Sequence, residues 1–185
     1  VNVNPTRIGV IQILKKMGVK IKLKNIKVYN GEKIADLLVE SSKALKAINC
    51  PTKYNSSAID EFLSIFLVAA KARGVSYFKD LSELNQKESP RLKWGSKILN
   101  MIGIKTILKK DSIKIFGNPN LEIKKDIKID NFLKDHRVFM TSVIAALAYG
   151  GKWEIADSDS IKSSFPSFLK IIKGLGGQIK PKYSR

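Results

Sequence analysis

Three short stretches combine cations and carboxylates at spacings that can do chemistry. In "QKESPRL", Gln86–Leu92, the residues Lys87, Glu88 and Arg91 fall close together. Ser89 followed by Pro90 reads as a helix start, with the serine as cap and the proline at the first helical position. Arg91 then lies in the first turn, where a cation opposes the helix dipole. An anion held beside the free backbone N–H groups would account for it. Solvation, or pairing with Glu88 three residues earlier, would also do so, and spacing leaves both open. "DHRVFM", Asp135–Met140, repeats the arrangement, with Asp135 as cap and Arg137 in the first turn of a helix too apolar to offer a solvated face. The chain has only five arginines, Arg7, Arg73, Arg91, Arg137 and Arg185, against 29 lysines. Two of them at the same unusual place favour an anion site, and arginine suits a bidentate grip on carboxylate or phosphate. His136, next to Arg137, is either a site residue or, as is commoner for a lone histidine at a helix start, a surface or capping one.

In "AIDEF", Asp60 and Glu61 open a buried helix. Acidic residues there complement the dipole, and spacing favours that reading. If Asp60 shared a cleft with the two arginines, it would serve as a general base. "IKSSFPSFLK", Ile161–Lys170, is a further helix start, with Ser163 or Ser164 as cap, Pro166 near the first helical position and Lys162 just outside.

The elements that must position these groups alternate. Helices are expected at residues 6–17, 59–73, 91–102, 136–149 and 165–175. Strands are expected at 19–23, 26–29, 34–39, 75–78, 104–108, 113–116 and 153–156. Gly18, Gly74, Gly103, Gly150 and Gly176 end the helices. Leucine-type helices ("LKKMGVKIK", "LNMIGIKTI", "IKGLGGQIK") alternate with Ala-rich ones ("VAAKARGVSYF", "IAALAYGGKWEI"). Such a period marks one copied supersecondary unit and an α/β class. Three helices of the first type and two of the second imply that the chain starts inside its first unit. It begins with Val1, so it is either processed or incomplete.

Composition narrows the rest. The 185 residues carry a net charge of +18 and are 44% hydrophobic, which excludes a disordered tail. No apolar run approaches the roughly 20 residues that span a bilayer, and no signal segment is seen. Cys50 alone excludes an internal disulfide framework, and His136 alone excludes a multi-histidine metal site. The lysines are scattered between apolar residues rather than clustered with aromatics, which reads as solvated faces more than as a nucleic-acid groove.

Taken in order, "NPTRIGVIQILKKMG", "NGEKIADLLVESSKALKAI", "IDEF", "KESPRL", "DHRVFM" and "SSFPSF" resemble the 5-enolpyruvylshikimate-3-phosphate synthase family from about Asn4 to about Phe168. "KESPRL" is the most specific match. That family has two domains, each of three βαβαββ units with helices inside and sheets outside. The resemblance therefore implies a single domain over 1–185, forming most of the C-terminal half of a two-domain enolpyruvyl transferase. It implies transfer of the enolpyruvyl group of phosphoenolpyruvate to the 5-hydroxyl of shikimate 3-phosphate. On the matching positions, Asp60 holds and deprotonates the hydroxyl. Lys87 contacts shikimate 3-phosphate, Glu88 moves a proton at the methylene carbon, and Arg91 and Arg137 clamp phosphoenolpyruvate. Pro90 departs from the family's usual Asp, and Leu63 and Phe139 from a common Pro and Ala; Ser163 stands where some members carry a phosphoenolpyruvate-contacting lysine, and Lys162 is the candidate replacement for it. The expected partners are the two anionic substrates and an N-terminal domain, with no cofactor, metal, nucleic acid or membrane. The complete protein is expected to be a cytoplasmic monomer. The alternatives are a transferase of the UDP-N-acetylglucosamine type and a basic, non-catalytic nucleic-acid-binding module.

Overall fold

Helices that are apolar nearly all round have nowhere to sit but inside a protein. The computed structural model describes residues 1–42 and 44–180 and puts two such helices at the centre. They are α2, Phe62–Lys71, and α4, His136–Tyr149. Around them pack α1, Gly9–Lys16, α3, Arg91–Met101, and α5, Phe168–Gly174. One continuous core joins residues from all five helices. Arg185 lies outside the described residues.

The strands form three small sheets. β1, Lys20–Tyr29, and β2, Glu32–Glu40, make an antiparallel hairpin. β3, Gly74–Phe78, and β4, Thr106–Leu108, flank β5, Ile113–Gly117, both antiparallel to it. β6, Asp126–Ile129, runs parallel to β7, Lys152–Ile155, across α4. Residues 45–50 bridge in parallel to β3 and the residue before it, at Lys46–Arg73 and Asn49–Tyr77. Counting that segment as a strand, 45–50, α2, β3, α3, β4 and β5 make one full βαβαββ unit.

The other elements are pieces of the same unit. α1, β1 and β2 repeat its last three elements, and β6, α4, β7 and α5 repeat its first four. The equivalence extends to edges. Val1 and Ala35 exchange backbone hydrogen bonds, N to O, of 2.7 and 2.8 Å. Residues 1–3 thus lie along β2 as β3 lies along β5. The leucine-type helices are α1, α3 and α5, the Ala-rich ones α2 and α4, and the alternation is as expected. Gly18 and Gly103 hold φ of 90° and 88° just past α1 and α3, a left-handed turn that a side chain would strain.

Some boundaries differ from expectation. The strands expected at 19–23 and 26–29 are one strand, kinked by a bulge between Lys24 and Lys27 where Asn25 takes a φ of 52°. β6 was not expected: four residues alternating exposed and buried are too short to stand out before their parallel partner is known. Residues 56–61 wind as a 3-10 turn before α2 begins. Ser89 does not cap α3, which starts at Arg91 after Pro90; its hydroxyl serves a buried carboxylate instead. Neither Ser163 nor Ser164 caps α5, which starts at Phe168 beyond the turns around Pro166. α1 starts at Gly9, because Pro5, Thr6 and Arg7 form a turn. Cys50 is free and buried, and burial pushes its thiol up to about 11. No described helix is long and apolar enough to cross a membrane.

α3 approaches α2 closely because Gly95 faces it. A Cβ there would lie 2.7 Å from a Phe66 ring carbon and 3.2 Å from Leu63. Phe66 is itself wedged against Phe62 and Phe78, at ring-centroid distances of 5.9 and 5.2 Å, so it has little room to yield. Overpacking of this kind costs about 1–3 kcal/mol, against a helix-propensity gain of at most about 1 kcal/mol. Gly95→Ala is therefore expected to lower the melting temperature of the complete protein by a few degrees in scanning calorimetry. An unchanged or raised midpoint would show that the helices can separate at no cost.

Candidate active site

The starts of α3 and α4 and the 3-10 turn before α2 meet at one guanidinium. The Arg91 side chain is only 3% exposed, so its charge must be matched at close range. Its Nε donates to Asp135 Oδ2 at 2.9 Å and its Nη1 to Asp60 Oδ1 at 3.1 Å. Its Nη2 donates to Glu88 and, at 3.4 Å, to Asp135 Oδ1. Three carboxylates from three separate segments thus surround one cation.

Asp135 ties the arrangement together. It is fully buried. One oxygen caps α4 by accepting from the backbone N–H groups of Arg137, at 2.8 Å, and Val138, at 3.4 Å. The other accepts from Arg91 and from the Ser89 hydroxyl at 2.8 Å. Burial by itself would push this carboxyl up. The hydrogen bonds from Arg91 and Ser89, the Arg91 charge and the Arg137 amide outweigh it and hold the group below the ordinary carboxylate value.

Asp60 links the second arginine. Arg137 Nη2 lies 3.6 Å from Asp60 Oδ2, and its Nη1 donates to the Asp60 backbone carbonyl at 3.0 Å and to Glu61 at 3.4 Å. Asp60, Glu88, Arg91 and Arg137 are therefore one cluster. Asp60 and Arg137 are each about a third exposed, so the cluster runs from a dry end at Asp135 to a wet end at Arg137.

The other expected residues sit differently. Lys87, beside Glu88 in the chain, pairs with Glu83 at 2.9 Å. His136 opens α4 half-buried and makes no hydrogen bond or ion pair among the described residues. Lys162 pairs with Asp159 at 2.8 Å on an exposed turn, and no described ion pair or hydrogen bond joins it to the cluster. Sequence reasoning took Asp135 for a cap alone and Glu61 for a dipole partner. Each is also the counter-charge of an arginine, and only the meeting of distant segments reveals that.

The cluster can present two guanidiniums to an anion and two partly exposed carboxylates, Asp60 and Glu88, to a proton in transfer. Its stability has a pH signature. A group whose value is lowered by folding contributes fully above its unfolded value, and the contribution fades as pH falls through the folded one. For Asp135 that window starts near the ordinary carboxylate value and extends below it. Asp135→Ala is expected to cost about 3–5 kcal/mol, since it strands a buried cation. Acid titration of unfolding should show a loss in this window that Asp135→Asn lacks. Equal acid sensitivity of the two proteins would remove Asp135 from this role.

Comparison with known proteins identifies the family. The family model for EPSP synthase (3-phosphoshikimate 1-carboxyvinyltransferase) matches residues 1–172. A 3-phosphoshikimate 1-carboxyvinyltransferase of Ruthia magnifica is 41% identical over 97% of this chain and 40% of its own length. That of Petrotoga mobilis is 35% identical over 94% of this chain and 39% of its own. The solved EPSP synthase of Acinetobacter baumannii superposes with a TM-score of 0.90 at 34% identity, over 97% of this chain and 41% of that one. The enolpyruvyl transferase NikO of Streptomyces tendae, at 17% identity and a TM-score of 0.67, shares the fold. The chain spans about two fifths of the length of the curated relatives it matches. With an α/β fold of repeated βαβαββ units and a family match over nearly its whole length, the chain belongs to the EPSP synthase family.

Proposed function

We propose that this chain supplies one wall of an active site that transfers the enolpyruvyl group of phosphoenolpyruvate to the 5-hydroxyl of shikimate 3-phosphate and releases phosphate. The observation that carries the reading is Asp60 held between Arg91 and Arg137, with Glu88 on the same cluster. Asp60 takes the proton of the 5-hydroxyl as its oxygen bonds to C2 of phosphoenolpyruvate, and Glu88 protonates the methylene carbon. Removal of a proton from that carbon then re-forms the double bond as the C2–O bond to phosphate breaks. Arg91 and Arg137 grip phosphoenolpyruvate, whose charge they match in a partly water-excluded place. Lys87 meets shikimate 3-phosphate, with His136 and Lys162 as further candidates at the rim.

In this reading residues 1–185 form most of the C-terminal domain, and an N-terminal domain of the same protein closes the site. The complete protein works as a cytoplasmic monomer without cofactor, nucleic acid or membrane. The named relatives favour shikimate 3-phosphate over a UDP-sugar acceptor.

Phosphate release from the two substrates tests the proposal. In the complete protein, Asp60→Asn and Glu88→Gln should each lower kcat by at least about 100-fold, the scale of general acid–base catalysis. Arg137→Ala should mainly raise KM for phosphoenolpyruvate. The 185-residue chain alone should show no turnover. Activity that survives both carboxylate changes, or robust turnover by the isolated chain, would overturn the reading.

A further inference from the structure

The motif "NPTR" near the start of the chain makes no ion pair with the cluster, yet Arg7 borders the same pocket as Asp60 and Arg137. A pocket of about 120 Å³ opens at the wet end of the cluster, lined by Arg7, Ser56, Ser57, Asp60, Glu61 and Arg137. Only four described residues are arginines, in a chain dominated by lysine; two of them line this pocket, and Arg91 is joined to it through Asp60. The fourth, Arg73, sits beyond the C-terminal end of α2.

The backbone next to Arg7 is closely packed. Gly9 packs so tightly on the 3-10 turn that a Cβ would lie 2.3 Å from Ser57 Oγ and 2.9 Å from the Tyr54 carbonyl oxygen. The first residue of α1 is thereby locked against the segment that carries Asp60. The Arg7 N–H donates to Asn4 O at 2.9 Å, which closes the turn just before the helix.

Its charge also stands apart from the others. Arg91 is surrounded by Asp135, Asp60 and Glu88, and Arg137 is held by Asp60 and Glu61. Lys87 is held by Glu83. The Arg7 guanidinium is exposed and has no hydrogen bond or ion pair among the described residues. An anion reaching Arg91 or Arg137 must displace a carboxylate, whereas an anion reaching Arg7 displaces only water. We propose that Arg7 is an anion-binding residue of this site, which takes a phosphate or carboxylate group of a substrate entering beside Asp60. The proposal rests on the function given above for which substrate it is, but not for the binding of the anion.

Two measurements on the complete protein test it and separate the two readings. The first is titration with inorganic phosphate, followed by calorimetry, of the unaltered protein, Arg7→Ala and Arg7→Lys. Arg7→Ala should bind at least about tenfold more weakly, with Arg7→Lys in between, since the charge persists and the fork does not. The second is steady-state kinetics with phosphoenolpyruvate and shikimate 3-phosphate varied in turn. Arg7→Ala should raise KM for one of them about tenfold or more, and by far more than it lowers kcat. Whichever KM moves identifies the source of the anionic group. Lys22→Ala, on the exposed face of β1, serves as the control for loss of bulk charge. Unchanged phosphate affinity, or a fall in kcat with both KM values fixed, overturns the proposal. If the unaltered protein turns over neither substrate, the proposed function fails, and the phosphate titration still decides Arg7.

Discussion

A guanidinium that keeps its charge at 3% exposure dictates much of what surrounds it. The cost of removing a cation from water is several kcal/mol even after relaxation, so hydrogen-bonded counter-charges must come to it. No single helix can supply them at the right angles. Arg91 therefore requires the N-termini of α3 and α4 and the turn before α2 to arrive together, each bringing a carboxylate. The convergence also resolves an apparent fault. A cation in the first turn opposes the helix dipole, but Asp135 at the head of α4 faces it and supplies the negative charge that both helix starts prefer.

The copied βαβαββ unit explains how three segments can meet so closely. Each unit sends its helices inward and returns its strands to the outside, so equivalent helix ends come to the same end of the domain. Close approach then needs small residues where helices touch. Gly95 provides this between α3 and α2, and Gly9 provides it between α1 and the turn at Ser57. Neither glycine sits at a positive φ. Their value is missing volume, unlike Gly18 and Gly103, whose value is the turn they permit.

That difference shows what the sequence made legible. Periodicity and glycine punctuation place all five helices, and α4 matches at both ends, because an apolar run bounded by Asp135 and Gly150 carries its own limits. The α/β class and the alternation of two helix types followed from the same local signals. The two arginines stood out because each contradicted a local rule in an otherwise lysine-rich chain. What stayed hidden depends on neighbours far along the chain. Ser89 has the form of a cap but gives its hydroxyl to Asp135, 46 residues away. Asp135 has the form of a cap and is one, yet its second oxygen carries the cluster. β6 exists because β7 lies beside it. Glu61 reads as a dipole partner until Arg137 is seen to reach it across 76 residues.

The net charge of +18 takes on a different meaning beside this cluster. Counting its side chains, Asp60, Glu61, Glu88 and Asp135 outnumber Arg91 and Arg137, so the most basic-looking functional motifs form a locally acidic patch. A dispersed lysine field acts over a Debye length of about 8 Å at physiological salt and raises the local concentration of anions without choosing among them. The cluster sets a second condition, because an incoming anion must offer Arg91 and Arg137 better hydrogen bonds than the carboxylates already there. Carboxylates and phosphates can match the paired geometry of the guanidinium fork, and a singly coordinating ion cannot. Selectivity in this site then comes from exchange of one bidentate partner for another, with the lysines governing only how often the exchange is attempted.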